Sequence, residues 1–218
     1  SGLAVGGGTA LYWSDMLGDH NLLTQVQISN QSGDLSRNLA AVIAYQNMAR
    51  RSNWGVAVAQ LPYVSRQFVI DGGTLNGQSV TRERDFRFWE IDRALEGNLS
   101  YPFNPVDRIE FAAGYRNIDF VREVQTRVFS DATGALISDN TSPVNDTLPT
   151  LNLATTSIAF VHDNANFAGT SPAVGQRYRF EAAPVFGDLH YLEALGDVRR
   201  YQMLARPLTL AGRLYSIR

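Results

Sequence analysis

The chain has 218 residues, a formal net charge of −2 and a charged fraction of 18%, below the roughly 25% typical of soluble domains. It contains no cysteine, which excludes disulfides, thiol catalysis and thiolate metal sites. The charge balance does not favour nucleic acid as a partner, and no apolar run approaches the ~18 residues that a membrane helix requires.

Alternating apolar and polar residues predict about ten β-strands along the chain. In the second strand, for example, Leu22, Val26 and Ile28 fall on one face and Gln25 and Gln27 on the other. The predicted strands, in chain order, are Leu3–Ser14, Asn21–Gln31, Arg37–Ala49, Trp54–Ile70, Val80–Tyr101, Arg108–Ser130, Thr150–Asp163, Gln176–Gly187, Tyr191–Leu204 and Leu208–Arg218.

Three of these strands have unusual features. Pro62 interrupts the fourth and indicates a bulge or a rim position, because proline cannot donate to a ladder. The first half of the fifth is dense in charge, and a soluble helix over about Glu83–Leu95 is the alternative there. The sixth, Arg108–Ser130, is longer than a soluble strand needs, so in a bilayer it would project beyond the membrane.

The connections alternate in length. Short turns at Asp15–His20, Pro102–Asp107 and Ala205–Pro207 are expected at one end of the strands, and loops at Asp71–Gln78 and Asp131–Leu148 at the other. Asp131–Leu148 is the longest of them and is expected to be the most mobile. Short periplasmic turns and longer external loops are typical of outer-membrane barrels.

A sequence string near the end of the chain carries a family resemblance. Asp163-Asn164, the small/Pro/Gly link Ala168–Gly175 and the following Arg177-Tyr178 form a D-N…P-x-x-G-x-R-Y string. It resembles the barrel domain of the bacterial surface antigen family, the BamA-type outer-membrane insertases and translocators, where such a string marks a periplasmic turn and the strand after it. The resemblance implies an antiparallel up-and-down transmembrane β-barrel in the bacterial outer membrane, which inserts or transports proteins.

The same resemblance implies no cofactor, no metal and no enzymatic activity, with outer-membrane lipid, client proteins and envelope subunits as partners. Laid on the family's larger barrel, residues 1–218 form a single domain that lacks the first strand and the C-terminal strands. The first and tenth predicted strands are then not paired with each other. The opening GGGTALYWSDMLGDHNL also resembles a subgroup in which a TolB-like propeller precedes the barrel. A passive channel, an anchor for such a propeller and a soluble all-β binding module are the alternative functions.

Charged residues that alternate with apolar ones are the candidate functional residues. Those expected to face a lumen are Arg177, Arg179, Glu181, Arg116 and Glu110. Those expected to face lipid, one position out of phase, are Tyr178, Phe180 and Ala182. A wider charged set on the fifth and sixth predicted strands comprises Arg82, Arg84, Arg87, Arg122, Arg127 and Glu123. The alternative is a solvated sheet face on which opposite charges pair weakly.

Aromatic residues near predicted strand ends suggest interfacial girdles, with ordinary core packing as the alternative. These residues are Tyr12, Trp13, Trp54, Tyr63, Trp89, Tyr101, Phe103 and Tyr201. The three histidines, His20, His162 and His190, are too far apart to form a spaced ligand cluster. His162-Asp163 lacks any nucleophile motif, so no catalytic residue is expected.

Overall fold

The structure, a computed structural model, describes residues 6–30, 34–144, 148–168, 171–205 and 208–218. Within these ranges the chain forms twelve strands and one short helix. They are β1 (Gly6–Ser14), β2 (His20–Ser29), α1 (Leu35–Asn38), β3 (Leu39–Asn47), β4 (Asn53–Leu75), β5 (Gln78–Pro102), β6 (Asp107–Ser130), β7 (Leu136–Pro143), β8 (Leu151–Asp163), β9 (Asn166–Ala168), β10 (Ser171–Gly187), β11 (Tyr191–Ala205) and β12 (Leu208–Ile217). No helix in this part of the chain is long and apolar enough to cross a membrane.

All twelve strands belong to one antiparallel up-and-down sheet, as predicted. Its order is β1-β2-β3-β4-β5-β6-β8-β10-β11-β12, while β7 pairs with β6 and β9 pairs with β10. We call these ten sequential strands the wall, apart from the upper parts of β4, β5 and β6, which are described below. Among the described residues β1 and β12 are not paired, so the sheet is open, which confirms the expectation for the first and tenth predicted strands.

The two strands that were not predicted, β7 and β9, lengthen hairpins that the sequence already indicated. β7 and β8 both pair with β6, β7 with its upper half and β8 with its lower half, so together they form one interrupted strand. The prediction that Asp131–Leu148 is a loop is therefore wrong over β7, whose polar residues gave no strand signal. Asp71–Gln78 is not a loop either. β4 and β5 run to a two-residue turn at Asn76-Gly77, where both residues have positive φ, as a type I′ hairpin turn requires.

The Asp163-Asn164 pair is not a turn. β9 continues the hairpin below it and pairs with the start of β10, so most of the predicted link Ala168–Gly175 is strand. The tip of this hairpin, 169–170, lies outside the described residues, as do residues 1–5, 31–33, 145–147 and 206–207. The predicted strand through Glu83–Leu95 is confirmed, so the alternative helix there is wrong.

Continuous register across the sheet assigns every side chain to one of two faces. We call the face of Arg179 and its partner Val161 the arginine face, and the face of Phe180 and its partner Phe160 the apolar face. On β8 the arginine face is buried at Ala159 and Val161, whereas Phe160 is exposed on the other side. On this strand the arginine face is therefore the more buried of the two.

Three central strands are much longer than their neighbours. β4, β5 and β6 have 23, 25 and 24 residues, against 9 in β3 and 13 in β8. β3 pairs with β4 only as far as Gln60, and β8 pairs with β6 only as far as Ile118. Residues 61–92 and 119–143 thus form a four-stranded extension above the wall, which we call the projection. Pro62 lies just beyond the last β3 pair and in unbroken register with β5, which confirms the rim position rather than a bulge.

A short segment crosses the apolar face at the base of the projection. Asp34 caps α1 by accepting a hydrogen bond from the Ser36 backbone N–H. The Gln60 side-chain amide on β4 donates to the Ser36 carbonyl at 2.9 Å, and Arg37 forms an ion pair with Glu123 on β6. Residues 34–38, which we call the strap, therefore span β4 and β5. Trp89 and Ile91 lie on this face of β5 between those two anchors, and both are buried.

Candidate functional site

The first candidate site is the apolar face of the wall. Every strand of the wall carries at least one large apolar side chain that is exposed on this face. One such residue per strand, in sheet order, is Leu11, Ile28, Ile43, Val56, Leu95, Phe111, Ile158, Phe180, Leu192 and Leu214. Soluble monomers rarely expose apolar patches larger than a few hundred Å². The apolar face of the wall crosses all ten strands, which is more than such a patch.

A row of hydrogen-bonded polar side chains bounds this face on the side of the projection. Its members are cross-strand partners in register, from Gln60 to Arg93, Asn117 and Asn152. Arg93 donates to Gln60 and to Asn117, each at 3.1 Å, and Asn117 donates to Asn152 at 2.9 Å. The Asn152 backbone N–H donates to Asp188, in the β10–β11 turn, at 2.6 Å. The apolar face thus becomes polar at the same height on β4, β5, β6 and β8.

Aromatic side chains bound the apolar face at its other end, near the short turns. Tyr45 and Trp54 meet edge to face with ring centroids 5.5 Å apart, and Tyr101 and Phe103 do so at 5.8 Å. Trp13 lies at the same end of β1. Three other aromatics of the predicted girdles, Tyr12, Tyr63 and Tyr201, lie on the arginine face by register. These three cannot belong to a girdle around the apolar face, and Trp89 is buried within β5, so the girdle prediction is wrong for all four.

The arginine face carries a cluster of ion pairs that spans several strands. Arg179 on β10 binds Glu181 on its own strand through Nε at 2.7 Å and reaches across β8 to Glu110 on β6. Arg108 binds the same Glu110 at 2.6 Å. Between the two glutamates in register lies Ala159, which is buried beneath the bridge. A small side chain at this position leaves room for the guanidinium to cross.

The cluster continues toward the edge of the sheet on β11 and β12. Asp197 accepts hydrogen bonds from Arg199 and from Arg213. Arg177 binds Asp163 at 3.1 Å and is the cross-strand neighbour of Arg199. We call these nine residues the ladder: Arg108, Glu110, Asp163, Arg177, Arg179, Glu181, Asp197, Arg199 and Arg213. Asp197 and Arg199 are part of the family resemblance, but the sequence analysis did not place them or Arg213 among the lumen-facing candidates, although Asp197-x-Arg199 shows the same alternation.

The structure brings four of the five predicted charged residues together in the ladder. The fifth, Arg116, shares their face but lies nearer the projection, where it pairs with the buried Asp92. The wider charged set does not share one face. Arg82, Arg84 and Arg122 lie on the arginine side of the projection, whereas the other three lie on the opposite side by register: Arg87, Glu123 and Arg127.

The residues of the D-N…P-x-x-G-x-R-Y string form a corner below the ladder. Gly175 has φ 118°, and a Cβ there would lie 2.5 Å from the Asn164 carbonyl oxygen, so glycine is required. The Gln176 backbone N–H donates to the Asn164 side chain at 2.7 Å. On the other face Tyr178 stacks on His162 with centroids 4.5 Å apart.

The adjoining β5–β6 turn is tied to this corner. His162 Nδ1 lies 2.6 Å from an Asp107 carboxylate oxygen. Hydrogen bonds from Asn104 and then from His162 hold the pKa of Asp107 below its ordinary value. The corner therefore fixes the ends of three neighbouring strands, β6, β8 and β10.

Across the residues that the structure describes, no three His, Asp or Glu side chains are grouped so that they could hold a metal ion. Comparison of the chain with family models, with curated proteins and with solved structures finds no match. The functional argument therefore rests on the two faces of the wall.

Proposed function

We propose that this chain forms the wall of a β-barrel in the bacterial outer membrane, with its apolar face toward lipid and its arginine face toward the lumen. The observation that supports this is the exposed apolar side chain on every wall strand, bounded by the polar row above and by aromatics below. Lipid-facing and lumen-facing residues alternate in this way in transmembrane barrels. β8, which ends within the wall, has 13 residues, close to the about 9–11 that a tilted strand needs to cross a bilayer.

Within that setting, we assign the chain to protein insertion or transport at the outer membrane. The support is the resemblance of the D-N…P-x-x-G-x-R-Y string, whose residues form a corner at the end of the short turns. By this resemblance the mechanism is strand augmentation at a seam between barrel strands, with client proteins as partners and no cofactor.

A passive channel is the second candidate. On β1 to β4 the arginine face of the wall carries uncharged side chains, such as Asn21, Gln25, Gln46 and Ala57, with Tyr12 as its aromatic residue. An uncharged wall of this kind would leave a path for water and small solutes. Planar-bilayer conductance without any acceleration of client assembly would favour the channel. Acceleration of client barrel folding in liposomes would favour the insertase.

Two adjacent alanines on β10 provide the direct test of membrane orientation. Ala182 lies on the apolar face and Ala183 on the arginine face, and both are half-buried. We would reconstitute Ala182→Cys and Ala183→Cys in liposomes and label them with a membrane-impermeant maleimide. Labelling at position 183 and protection at position 182 are expected, with both labelled in urea. Equal labelling in intact liposomes would contradict the orientation.

A further inference from the structure

The projection contains a cavity that the proposed function does not use. It has a volume of about 410 Å³, within the roughly 300–1,000 Å³ typical of small-molecule sites. By register all of the residues that form its floor and sides lie on the arginine face: Gln67, Val69, Arg84, Phe86, Phe88 and Arg122. A smaller cavity of about 260 Å³ shares Phe88 and Arg122 with it. The two together form one elongated cleft on β4, β5 and β6.

The chemistry of the cleft is apolar and aromatic with cationic sides. Phe86 and Phe88 are same-face neighbours on β5, and the Arg122 guanidinium carbon lies 5.5 Å from the centroid of the Phe88 ring. Arg84 stands on the other side of Phe86 along the same strand. Two acidic residues also line the cleft: Glu123, which belongs to the opposite face by register and is paired with Arg37 of the strap, and Glu90, which lies on the arginine face in the smaller cavity.

Arg84 has an unused donor. Its Nη2 binds Asp71 Oδ2 at 3.1 Å, but its Nε is buried and has no hydrogen-bond partner, and neither has the Oδ1 atom of Asp71. Burying a guanidinium N–H without an acceptor is unfavourable, and an anionic oxygen in the cleft would relieve that cost. A planar carboxylate matches the fork of an arginine side chain, and an aromatic ring matches the two phenylalanines.

We infer that this cleft binds a small aromatic carboxylate, with its ring on Phe86 and Phe88 and its carboxylate at Arg84. The inference depends on the projection alone and not on insertion of the wall in a membrane. Its failure is therefore distinguishable from failure of the proposed function. A ligand at this place would lie on the arginine side of the sheet, above the wall.

The test is calorimetric titration of the folded full-length chain with 2-naphthoate and with its uncharged analogue 2-naphthylmethanol. Naphthoate should bind, and the alcohol should bind more weakly. Arg84→Gln should weaken naphthoate binding roughly tenfold, which is the loss expected for a charge-assisted hydrogen bond. The same variant should leave binding of the alcohol unchanged.

Arg127→Gln is the matched control, because Arg127 lies in the projection on the opposite face and binds Asp139. It should bind naphthoate like the wild type. Arg84→Lys, which keeps the charge but not the fork, should fall between wild type and Arg84→Gln, and urea unfolding of each variant checks its fold. Absence of naphthoate binding to the wild type would overturn the inference. Equal affinity for the two probes, or an equal loss in Arg127→Gln, would overturn it too.

Discussion

One strand, β5, passes through both the wall and the projection, and its apolar face differs sharply between them. In the wall, Leu95 and Leu99 are 56% and 41% exposed. In the projection, Trp89 and Ile91 on the same face are each 3% exposed, beneath the strap. The chain thus covers its apolar side chains above the polar row and leaves them bare below it. Bare apolar side chains on every wall strand are stable if lipid takes the place of a cover.

At the far end of the projection, apolar side chains are exposed again. Phe68 and Ile70 on β4 are exposed there, beyond the reach of the strap. Two neighbouring exposed apolar residues are ordinary on a protein surface. A contiguous set across ten strands is not, and this difference in extent separates the wall from the projection.

Removal of the indole under the strap should have the largest effect on stability. Trp89→Ala leaves a cavity between β5 and residues 34–38, and we expect a loss of about 3–5 kcal/mol in the free energy of unfolding. Leu95→Ala, on the same face of the same strand, should cost less because its side chain has no protein cover. Urea titration in detergent micelles measures both. Equal losses would show that the strap does not bury Trp89.

The next largest effect is expected from a charge on the apolar face, which should destabilise the wall more than the projection. Ile158→Arg places a guanidinium in the middle of that face of β8, and in a bilayer we expect a cost of about 2–4 kcal/mol. Phe68→Arg, exposed in the projection, should change stability by no more than about 0.5 kcal/mol. Reversible unfolding from lipid vesicles gives both values. A small cost for Ile158→Arg would favour the soluble binding module over a membrane wall.

The corner under the ladder should not tolerate a side chain at Gly175. Gly175→Ala places a Cβ against the Asn164 carbonyl at a positive φ, and we expect a loss of about 1–3 kcal/mol. Gly72→Ala, in the projection, meets open space at ordinary φ and serves as the control. Thermal unfolding of both variants measures the difference, and a neutral Gly175→Ala would show that the corner can adjust.

The bridge across β8 should be stronger than an ion pair of the projection. A double-mutant cycle of Arg179→Gln and Glu110→Gln should give a coupling energy of about 1–2 kcal/mol, because the pair forms a direct charge-assisted hydrogen bond. The same cycle on Arg127 and Asp139 should give about 0.2–1 kcal/mol. Coupling energies that are equal within error would mean that the arginine face is as open to solvent as the projection.

The smallest expected effect is a pH dependence at the turn after β6. Hydrogen bonds from Ser79 and from Thr81 lower the pKa of Asp131, so the folded state favours the carboxylate. This stabilisation is present above the ordinary aspartate pKa and is lost as the pH falls through the lower folded value. Protease cleavage at 132–135 should increase only in that acidic window. Asp131→Asn should abolish the dependence, and a dependence that persists in this variant would assign it to another group.

Local alternation was enough to predict the ten wall strands, because one apolar and one polar face leave a period of two in the sequence. β7 was missed because LISDNTSP has no apolar face and pairs only as an edge of the projection. The hairpin at Asn76-Gly77 could have been found, since Asn-Gly between strands is the strongest short hairpin signal. Asp71 and the glycines that follow it are typical of a loop, and the segment was therefore predicted to be one.

The sequence predicted the residue types of the candidate site better than it predicted their contacts. Alternation placed Arg179 and Glu181 on one face, but the bridge to Glu110 joins strands that are not neighbours. It depends on the register of β8 and on the small size of Ala159. Alternation along β5 alone separates Arg87 from Arg84, but the position of Glu123 opposite Arg87 follows only from the register between β5 and β6.

The strap also has a consequence for the order of folding. Most pairings in this sheet join consecutive strands, which can form hairpin by hairpin at a modest loop-closure cost. The Arg37–Glu123 pair instead joins positions 86 residues apart, so it cannot close until β6 has joined β5. Until then Trp89 and Ile91 stay uncovered on an otherwise paired strand, in a transient state prone to aggregation. Closure of the strap is thus a late step, and variants that weaken it should lengthen the time for which the chain needs a chaperone.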